Sequence, residues 1–402
     1  MLHLLLSTDW TAERKEILRR IAADVDAKQG GRILIVPELI SHDTERRLCE
    51  TAGDTASRFA EVLSFTRLAR RVADSVGCAA PACMDNGGRV VAMAAAARQL
   101  HSRLKAYAAV ETKPEFLTEL VDAVDEFKRC CITAKDLSLA SEQTEGSLAQ
   151  KLEELSLLLE SYDSLCAQGK RDPRDQMNWL LEQLEDGNFG QEHVFYIDGF
   201  PDLTRQHLAI LEHLIRVSPS VTVGLNCDAV DSDKMAFEKA GTTAMELIRC
   251  AKNADVEVKI QILESENTAL SAVCNALFQG AIPRLEQTAQ LQILRTDTQW
   301  AEVEIAAQRV MELVRAGCRY RDISIVCSDM GAYADAISLV FHRCGIPVYQ
   351  SGNEDILQKT VITTVLSALD AALGGFEQAD VVRYLRSVLS PLDPDTCDRV
   401  EN

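Results

Sequence analysis

The chain has 402 residues, a formal net charge of −19 at pH 7 and 47% hydrophobic residues. That length predicts two or three domains, each with enough apolar side chains for a core. The acidic balance excludes a protein that grips nucleic acid over its whole surface, because phosphate binding needs clustered Lys and Arg. A local basic groove is compatible with it.

Signals for a membrane, for secretion or for a metal centre do not occur in the sequence. There is no run of 18 apolar residues, and residues 1–6 lack the basic start and small-residue cleavage site of a signal peptide. The thirteen cysteines are scattered and form no CxxC pair, and there are only seven histidines. We therefore expect a cytoplasmic protein with no membrane partner and no metal or other cofactor bound by this chain.

The chain starts with a predicted strand at 2–6, a polar segment and a predicted helix at 12–28. This order of strand, loop and helix is where nucleoside triphosphatases carry their phosphate-binding loop. Such a loop needs glycines and a Lys-Ser/Thr pair, and Ser7–Thr11 contains neither. Ser7 and Thr8 are therefore predicted to be the degenerate remnant of a nucleotide site.

Two further strands are predicted at 33–36 and 61–65, and each is followed by a helical pattern. Strands alternating with helices in this way indicate a doubly wound parallel sheet, which places the fold in the α/β class. The helix predicted at 66–76 carries three arginines in its first turns and no acid among them.

The strand predicted at Val194–Ile197 is a short apolar run that ends at Asp198 and Gly199. Such a run is typical of a buried strand, which would bring the acid to the carboxyl edge of the sheet, where open α/β folds bind ligands. An acid in that place holds magnesium in P-loop enzymes. The alternative is a core strand followed by a solvated turn aspartate.

Helical patterns without a strand fill the region before that strand, and a second α/β pattern follows the first sheet. We predict a discontinuous first domain at 1–85 and 188–283, a helical insertion at 86–187 and a second α/β domain at 284–402. The second domain is expected to contribute strands at 291–294, 323–327 and 346–349.

Several segments, taken in order, resemble the AddB family, the B subunit of the bacterial ATP-dependent helicase/deoxyribonuclease. They are Ile33–Leu48, Val62–Val72, Lys151–Tyr162, Val194–Phe200, Tyr320–Tyr333 and Gly345–Pro347.

The resemblance implies the core of a superfamily 1 helicase, with two RecA-like parallel-sheet domains and an all-helical insertion in the first. It also implies a DNA-end-processing heterodimer, in which the A subunit is the motor and binds ATP and magnesium. The family's nuclease domain and the cysteines of its iron–sulfur cluster would lie beyond residue 402. The chain departs from a motor protein twice: it lacks the phosphate loop, and Gly199 follows Asp198 where a motor has glutamate. Asp198 is therefore predicted to belong, with Ser7 and Thr8, to the degenerate remnant of a nucleotide site.

The segment Val62–Val72 corresponds, by this resemblance, to a motif with which related motors touch single-stranded DNA. The predicted DNA contacts are Ser64, Phe65, Thr66, Arg67 and Arg71, with phosphates held by the hydroxyls and arginines and a base stacked on the ring. The alternative is that Phe65 belongs to the core and that the arginines are merely solvated.

Three functions follow from these observations. The first is a DNA-binding, helicase-like subunit that lacks ATPase activity of its own and pairs with a motor subunit in recombinational repair of double-strand DNA ends. The second is an active ATP-dependent helicase, which the missing phosphate loop and missing glutamate disfavour. The third is a scaffold that docks the motor subunit without touching DNA.

Overall fold

A computed structural model describes residues 1–108, 113–264, 273, 291–350, 356–387, 389–390 and 392–401. By internal contacts the chain divides into a unit at Met1–Leu291 and a unit at Gln292–Asn402. The domain boundary predicted at 283/284 lies outside the described residues.

The first unit is built on six strands that all run parallel. They are β1 (Leu2–Ser7), β2 (Arg32–Ile35), β3 (Ala60–Leu63), β4 (Val194–Ile197), β5 (Val221–Asn226) and β6 (Val258–Ile262). Their order in the sheet is β3-β2-β4-β5-β1-β6. This confirms the predicted α/β class and is consistent with a RecA-like fold, in which β5 separates the strand of Ser7 from the strand of Asp198.

Helices cover the sheet on both faces, because both faces of the central strands carry apolar side chains. One face packs against α1 (Trp10–Asp26) and α2 (Ser41–Ala52) around Ile17, Ile21 and Leu48. The other face carries four more helices, which share one core: α3 (Phe65–Val76), α8 (Gln176–Asp186), α10 (Arg205–Val217) and α11 (Glu238–Asn253).

The helical insertion has a core of its own. Its members are α4 (Asn86–Gln99), α5 (Pro114–Arg129), α6 (Ala134–Glu142) and α7 (Gly146–Ala167), and the four-residue helix α9 (Phe189–Glu192) lies outside it, next to β4. Within the range predicted for the insertion, 86–187, Trp179, Leu180 and Leu184 of α8 pack into the sheet core. A parallel bridge between Cys83 and Arg171 joins the entry and the exit of the insertion.

The unit at Gln292–Asn402 is helical where it is described, with helices at Gln299–Arg315, Met330–Arg343, Thr360–Leu373, Gln378–Leu385 and Pro394–Glu401. The strands predicted at 291–294, 323–327 and 346–349 are not formed in this part of the structure. A strand needs hydrogen-bonded neighbours, and side chains in these segments are largely exposed, with Val326 93% and Tyr349 91% accessible. The second RecA-like domain therefore stays a prediction.

No helix in the described part of the chain is both long enough and apolar enough to span a membrane.

Candidate functional site

The candidate site is the edge of the sheet at which the parallel strands end. β1 ends at Ser7, β4 is followed by Asp198, and β3 is followed by Ser64. The predicted nucleotide remnant and the predicted DNA contacts therefore lie at the same edge of the sheet.

The loop after β1 is held by hydrogen bonds among its own residues. Ser7 is 1% exposed, and its hydroxyl accepts a hydrogen bond from the Asp9 amide at 3.1 Å. The Asp9 carboxylate caps α1 by accepting from the Thr11 amide at 2.9 Å and from the Thr11 hydroxyl at 2.7 Å. A helix N-terminus attracts anions, and here an aspartate of the chain itself already occupies it. Thr8 lies between Ser7 and Asp9 in this loop, is half-buried and also has an interaction partner.

Asp198 forms a buried ion pair with Arg14 of α1. The Arg14 Nε donates to the Asp198 Oδ2 at 2.6 Å, and the two side chains are 8% and 5% exposed. Burial raises the pKa of Asp198, and the Arg14 guanidinium offsets part of that rise. The carboxylate that a motor would present to magnesium is thus held by a guanidinium.

Glu13 lies beside this pair and is 2% exposed. Neither of its carboxyl oxygens has a hydrogen-bond partner among the described residues. Burial raises the pKa of Glu13 to about 8, and the nearby charges of Asp198 and Asp9 add to the rise. At neutral pH the side chain is therefore largely protonated.

Gly224 makes room for these acids, and Gly199 makes room for the side chains around the turn after Asp198. A Cβ on Gly224 of β5 would come within 3.1 Å of the Glu13 Cβ and 3.4 Å of the Asp198 Oδ1. Gly199 has a φ of +79°, and a Cβ there would stand 2.8 Å from the Ile40 Cδ1. Gly199 is therefore required by its backbone conformation and by its neighbours.

This arrangement does not fit a nucleotide with magnesium. The helix N-terminus is capped by a carboxylate, Arg14 takes the coordination face of Asp198, and no lysine lies in Ser7–Thr11. Phosphate oxygens would meet the charge of Asp9, and no lysine lies in Ser7–Thr11 to offset it.

Sequence reasoning missed Asp9, Glu13 and Arg14. A signal for the last two was available, because Glu13 stands four residues before Ile17 and Arg14 four before Leu18. That spacing places both charged residues above the buried face of α1, where Ile17 is 0% and Leu18 5% exposed.

The structure places the predicted DNA-contact residues Ser64 and Phe65 inside the protein. Ser64 caps α3, accepting from the Arg67 amide at 3.2 Å, and its hydroxyl donates to the Glu38 carboxylate. Phe65 is 5% exposed, and its ring stacks on His207 with centroids 4.2 Å apart. The ring face predicted to stack on a base is thus covered by an imidazole, and burial lowers the pKa of His207 to about 4, so that this imidazole is neutral.

Thr66 and Arg67 are the predicted contacts that remain accessible. Both are half-buried on the first turn of α3, and neither makes an ion pair with any described residue. Arg71 is engaged: its Nε lies 3.1 Å from the Glu61 carboxylate, and its guanidinium stands 5.7 Å from the centre of the Phe189 ring. Leu39, next to the Glu38 that binds Ser64, is 96% exposed and extends this surface.

The sequence is similar to known proteins along most of its length. The family model described as "ADDB, N-terminal" matches residues 11–274. The chain is 26% identical over 383 residues to the B subunit of the ATP-dependent helicase/deoxyribonuclease of Clostridium acetobutylicum, covering 92% of this chain and 33% of that protein.

Two other proteins of the same name give similar values. Identity is 25% over 385 residues in Acetivibrio thermocellus, covering 92% of this chain and 34% of the relative. It is 27% over 410 residues in Clostridium botulinum strain Langeland, covering 96% and 35%. The chain thus spans about a third of the length of these relatives.

Proposed function

The chain belongs to the AddB N-terminal family, and on that premise we propose that it is a DNA-binding part of a helicase/deoxyribonuclease subunit with no ATPase activity of its own. The observation that carries this proposal is the ion pair between Arg14 and Asp198 at 2.6 Å, at the place where a motor protein would hold magnesium. Its relatives are named as the B subunit of an ATP-dependent enzyme, which supports a partner subunit that supplies the ATP hydrolysis.

The DNA contact is proposed at the first turn of α3. An arginine beside the positive end of a helix favours a phosphate, and the Arg67 amide itself is taken by the Ser64 hydroxyl. Arg67 stands there, half-buried and without an ion pair in the described part of the chain. Thr66 offers a hydroxyl, and the exposed Leu39 offers an apolar surface to a base or sugar.

Phe65 and Arg71 are not part of this proposed contact. The Phe65 ring is stacked on His207, and the Arg71 guanidinium is held by Glu61 and lies against Phe189. Ser64 acts indirectly, because its hydroxyl fixes the start of the helix on which Arg67 stands.

The remaining features of the enzyme are proposals that rest on the family. They are the pairing with the A subunit as a heterodimer, ATP and magnesium at that subunit, and a nuclease domain with an iron–sulfur cluster elsewhere in the B subunit. Together they describe processing of double-strand DNA ends in recombinational repair.

The test measures single-stranded DNA affinity by fluorescence anisotropy over a series of salt concentrations, using the whole chain. Removal of one phosphate contact should flatten the slope of log affinity against log salt by roughly 0.7. We expect Arg67→Gln to flatten the slope by about that amount. The control Arg46→Gln, on an exposed arginine of α2 paired with Asp43, should leave it unchanged.

Arg71→Gln separates the structural interpretation from the sequence prediction. Because Arg71 is held by Glu61, we expect its replacement to leave the salt slope as it is. A slope that falls with Arg71 and not with Arg67 would contradict the proposed contact. DNA-stimulated phosphate release by the purified chain would contradict the absence of a motor.

A further inference from the structure

A second polar site lies on the face of the sheet under the far end of α1, toward the amino ends of the strands. Three neighbouring strands each contribute one side chain in register: Tyr196 of β4, Thr222 of β5 and His3 of β1. Residues paired in this way point to the same face and have backbones about 4.8 Å apart. On the sheet face that packs against α1, this row is polar.

A cavity of about 310 Å³ opens over the row, and Arg19, Arg20 and Asp24 of α1 line its other side. The row therefore faces an open polar cavity where the rest of the same sheet face is packed against apolar residues of α1. The space is large enough for a small polyatomic anion and its hydrating waters.

The floor of the cavity has donor groups without partners. Thr222 is only 2% exposed, and its hydroxyl makes no hydrogen bond to the described part of the chain. Neither ring nitrogen of the half-buried His3 has a partner there. The Thr222 hydroxyl reaches the cavity that it helps to line, where it is available to donate to a ligand.

The charges around the cavity favour an anion. Arg19 and Arg20 share one carboxylate, that of Glu16, at 2.7 and 2.8 Å. Asp24 is bound by Arg32 at 2.8 Å, which neutralises the acid of the lining.

Lys259 pairs with His3 in the sheet register, and its own partner, Glu257, is 3.7 Å away. Four basic side chains and the amino terminus thus stand against Glu16, Asp24 and Glu257. Burial lowers the pKa of His3, and the positive charges of Arg20, Lys259 and the amino terminus lower it further.

We propose that this cavity binds a phosphate group, held by the Thr222 hydroxyl, the His3 imidazole and the Arg20 guanidinium. The site is separate from the proposed DNA contact on α3, and it does not depend on that function. The phosphate could be free in solution or could be the terminal phosphate of a DNA strand, and the experiment distinguishes these two sources.

The test is titration calorimetry of the whole chain with inorganic phosphate and with sulfate. Thr222→Val keeps the shape of the side chain and removes the hydroxyl, so we expect affinity for both anions to fall about tenfold. Arg20→Gln should weaken binding by a similar factor. Lys239→Gln, an exposed lysine on α11, is the matched loss of one charge and should leave the affinity unchanged.

The charge of sulfate is constant across the pH range used. A change of sulfate affinity with pH therefore reports on the protonation of His3. A bound anion favours imidazolium, so sulfate should bind more tightly at about pH 5.5 than at about pH 7.5. His3→Asn should remove that difference and leave the fold intact, because His3 makes no hydrogen bond with the described residues.

Oligonucleotides with a 5′-phosphate or a 5′-hydroxyl identify the source. A preference for the phosphorylated end that Thr222→Val abolishes would assign the site to DNA ends. Binding of inorganic phosphate without such a preference would assign it to free phosphate. Absence of binding by either anion, or an equal loss in Lys239→Gln, would overturn the proposal.

Discussion

The N-termini of α1 and α3 lie at the same edge of one sheet, and they differ in their capping groups and in which first-turn side chains stay accessible. At α1 the cap is a carboxylate, Asp9, and the next turn carries Glu13 and Arg14 into the protein. At α3 the cap is a hydroxyl, Ser64, which donates to the Glu38 carboxylate, and the first turn leaves Thr66 and Arg67 accessible. Helix N-termini attract anions in general, so the difference shows that the flanking side chains decide which of them is available.

The largest loss of stability is expected at the N-terminus of α1. Arg14→Met leaves the Asp198 carboxylate buried without its partner, which should lower the free energy of unfolding by about 3–5 kcal/mol. Urea unfolding followed by circular dichroism measures it. The exposed pair of Arg19 with Glu16 is the control, and Arg19→Gln should cost at most about 1 kcal/mol.

The double variant Arg14→Met/Asp198→Leu makes this test specific. It replaces both charges by apolar groups, so most of the lost stability should return. A double variant as unstable as Arg14→Met would show that the packing of Arg14, and not its charge, holds the loop closed.

A pH-dependent effect is expected at Glu13. Its pKa is raised to about 8 in the folded protein by burial and by the charges of Asp198 and Asp9. The folded state therefore binds more protons than the unfolded state between the ordinary glutamate pKa and about pH 8, and stability falls as pH rises through that range.

Glu13→Gln removes this titration. Between about pH 5.5 and 7.5 the wild-type protein should lose roughly 2–3 kcal/mol relative to this variant. Unfolding free energies of both proteins at several pH values give the difference. Parallel pH profiles would mean that the carboxyl group is ionised and solvated in the folded protein.

At the N-terminus of α3, Ser64→Ala should lower the free energy of unfolding by about 1–2 kcal/mol, because it removes the N-cap of the helix and the donor to Glu38. Thr204→Ala at the cap of α10 is a matched control that loses a cap alone, through the 3.2 Å bond from the His207 amide. The excess loss in Ser64→Ala measures the link to Glu38. An equal loss in the two variants would show that this link adds nothing.

The centre of the sheet was predictable from the sequence because its strands are apolar runs in which each local pattern agrees with the fold. β1 and β4 follow this rule, and their limits differ from the prediction by one residue at most. The segments at 323–327 and 346–349 have the same pattern, yet they are not strands, because pairing depends on partners that a local pattern does not specify.

The candidate site was predictable only in part. The missing phosphate loop and the position of Asp198 follow from residue types and order. The placement of Phe65 against His207 could not be predicted, because the two residues are far apart in the chain and meet only when α3 and α10 pack on one face. The burial of Arg14 depended on the same kind of contact, across 184 residues.

The smallest change in stability is expected from Asp9→Asn. This variant separates two features at the N-terminus of α1, the charge of the Asp9 cap and the ion pair between Arg14 and Asp198. Asparagine caps helices as well as aspartate does, so stability should change by no more than about 0.5 kcal/mol. The variant removes one negative charge from the helix N-terminus and leaves Arg14 on Asp198. We expect a fluorescent ATP analogue to remain unbound, because the ion pair alone blocks the magnesium position. Binding by Asp9→Asn, but not by Asp9→Glu, would instead make the charge of Asp9 the feature that keeps nucleotide out.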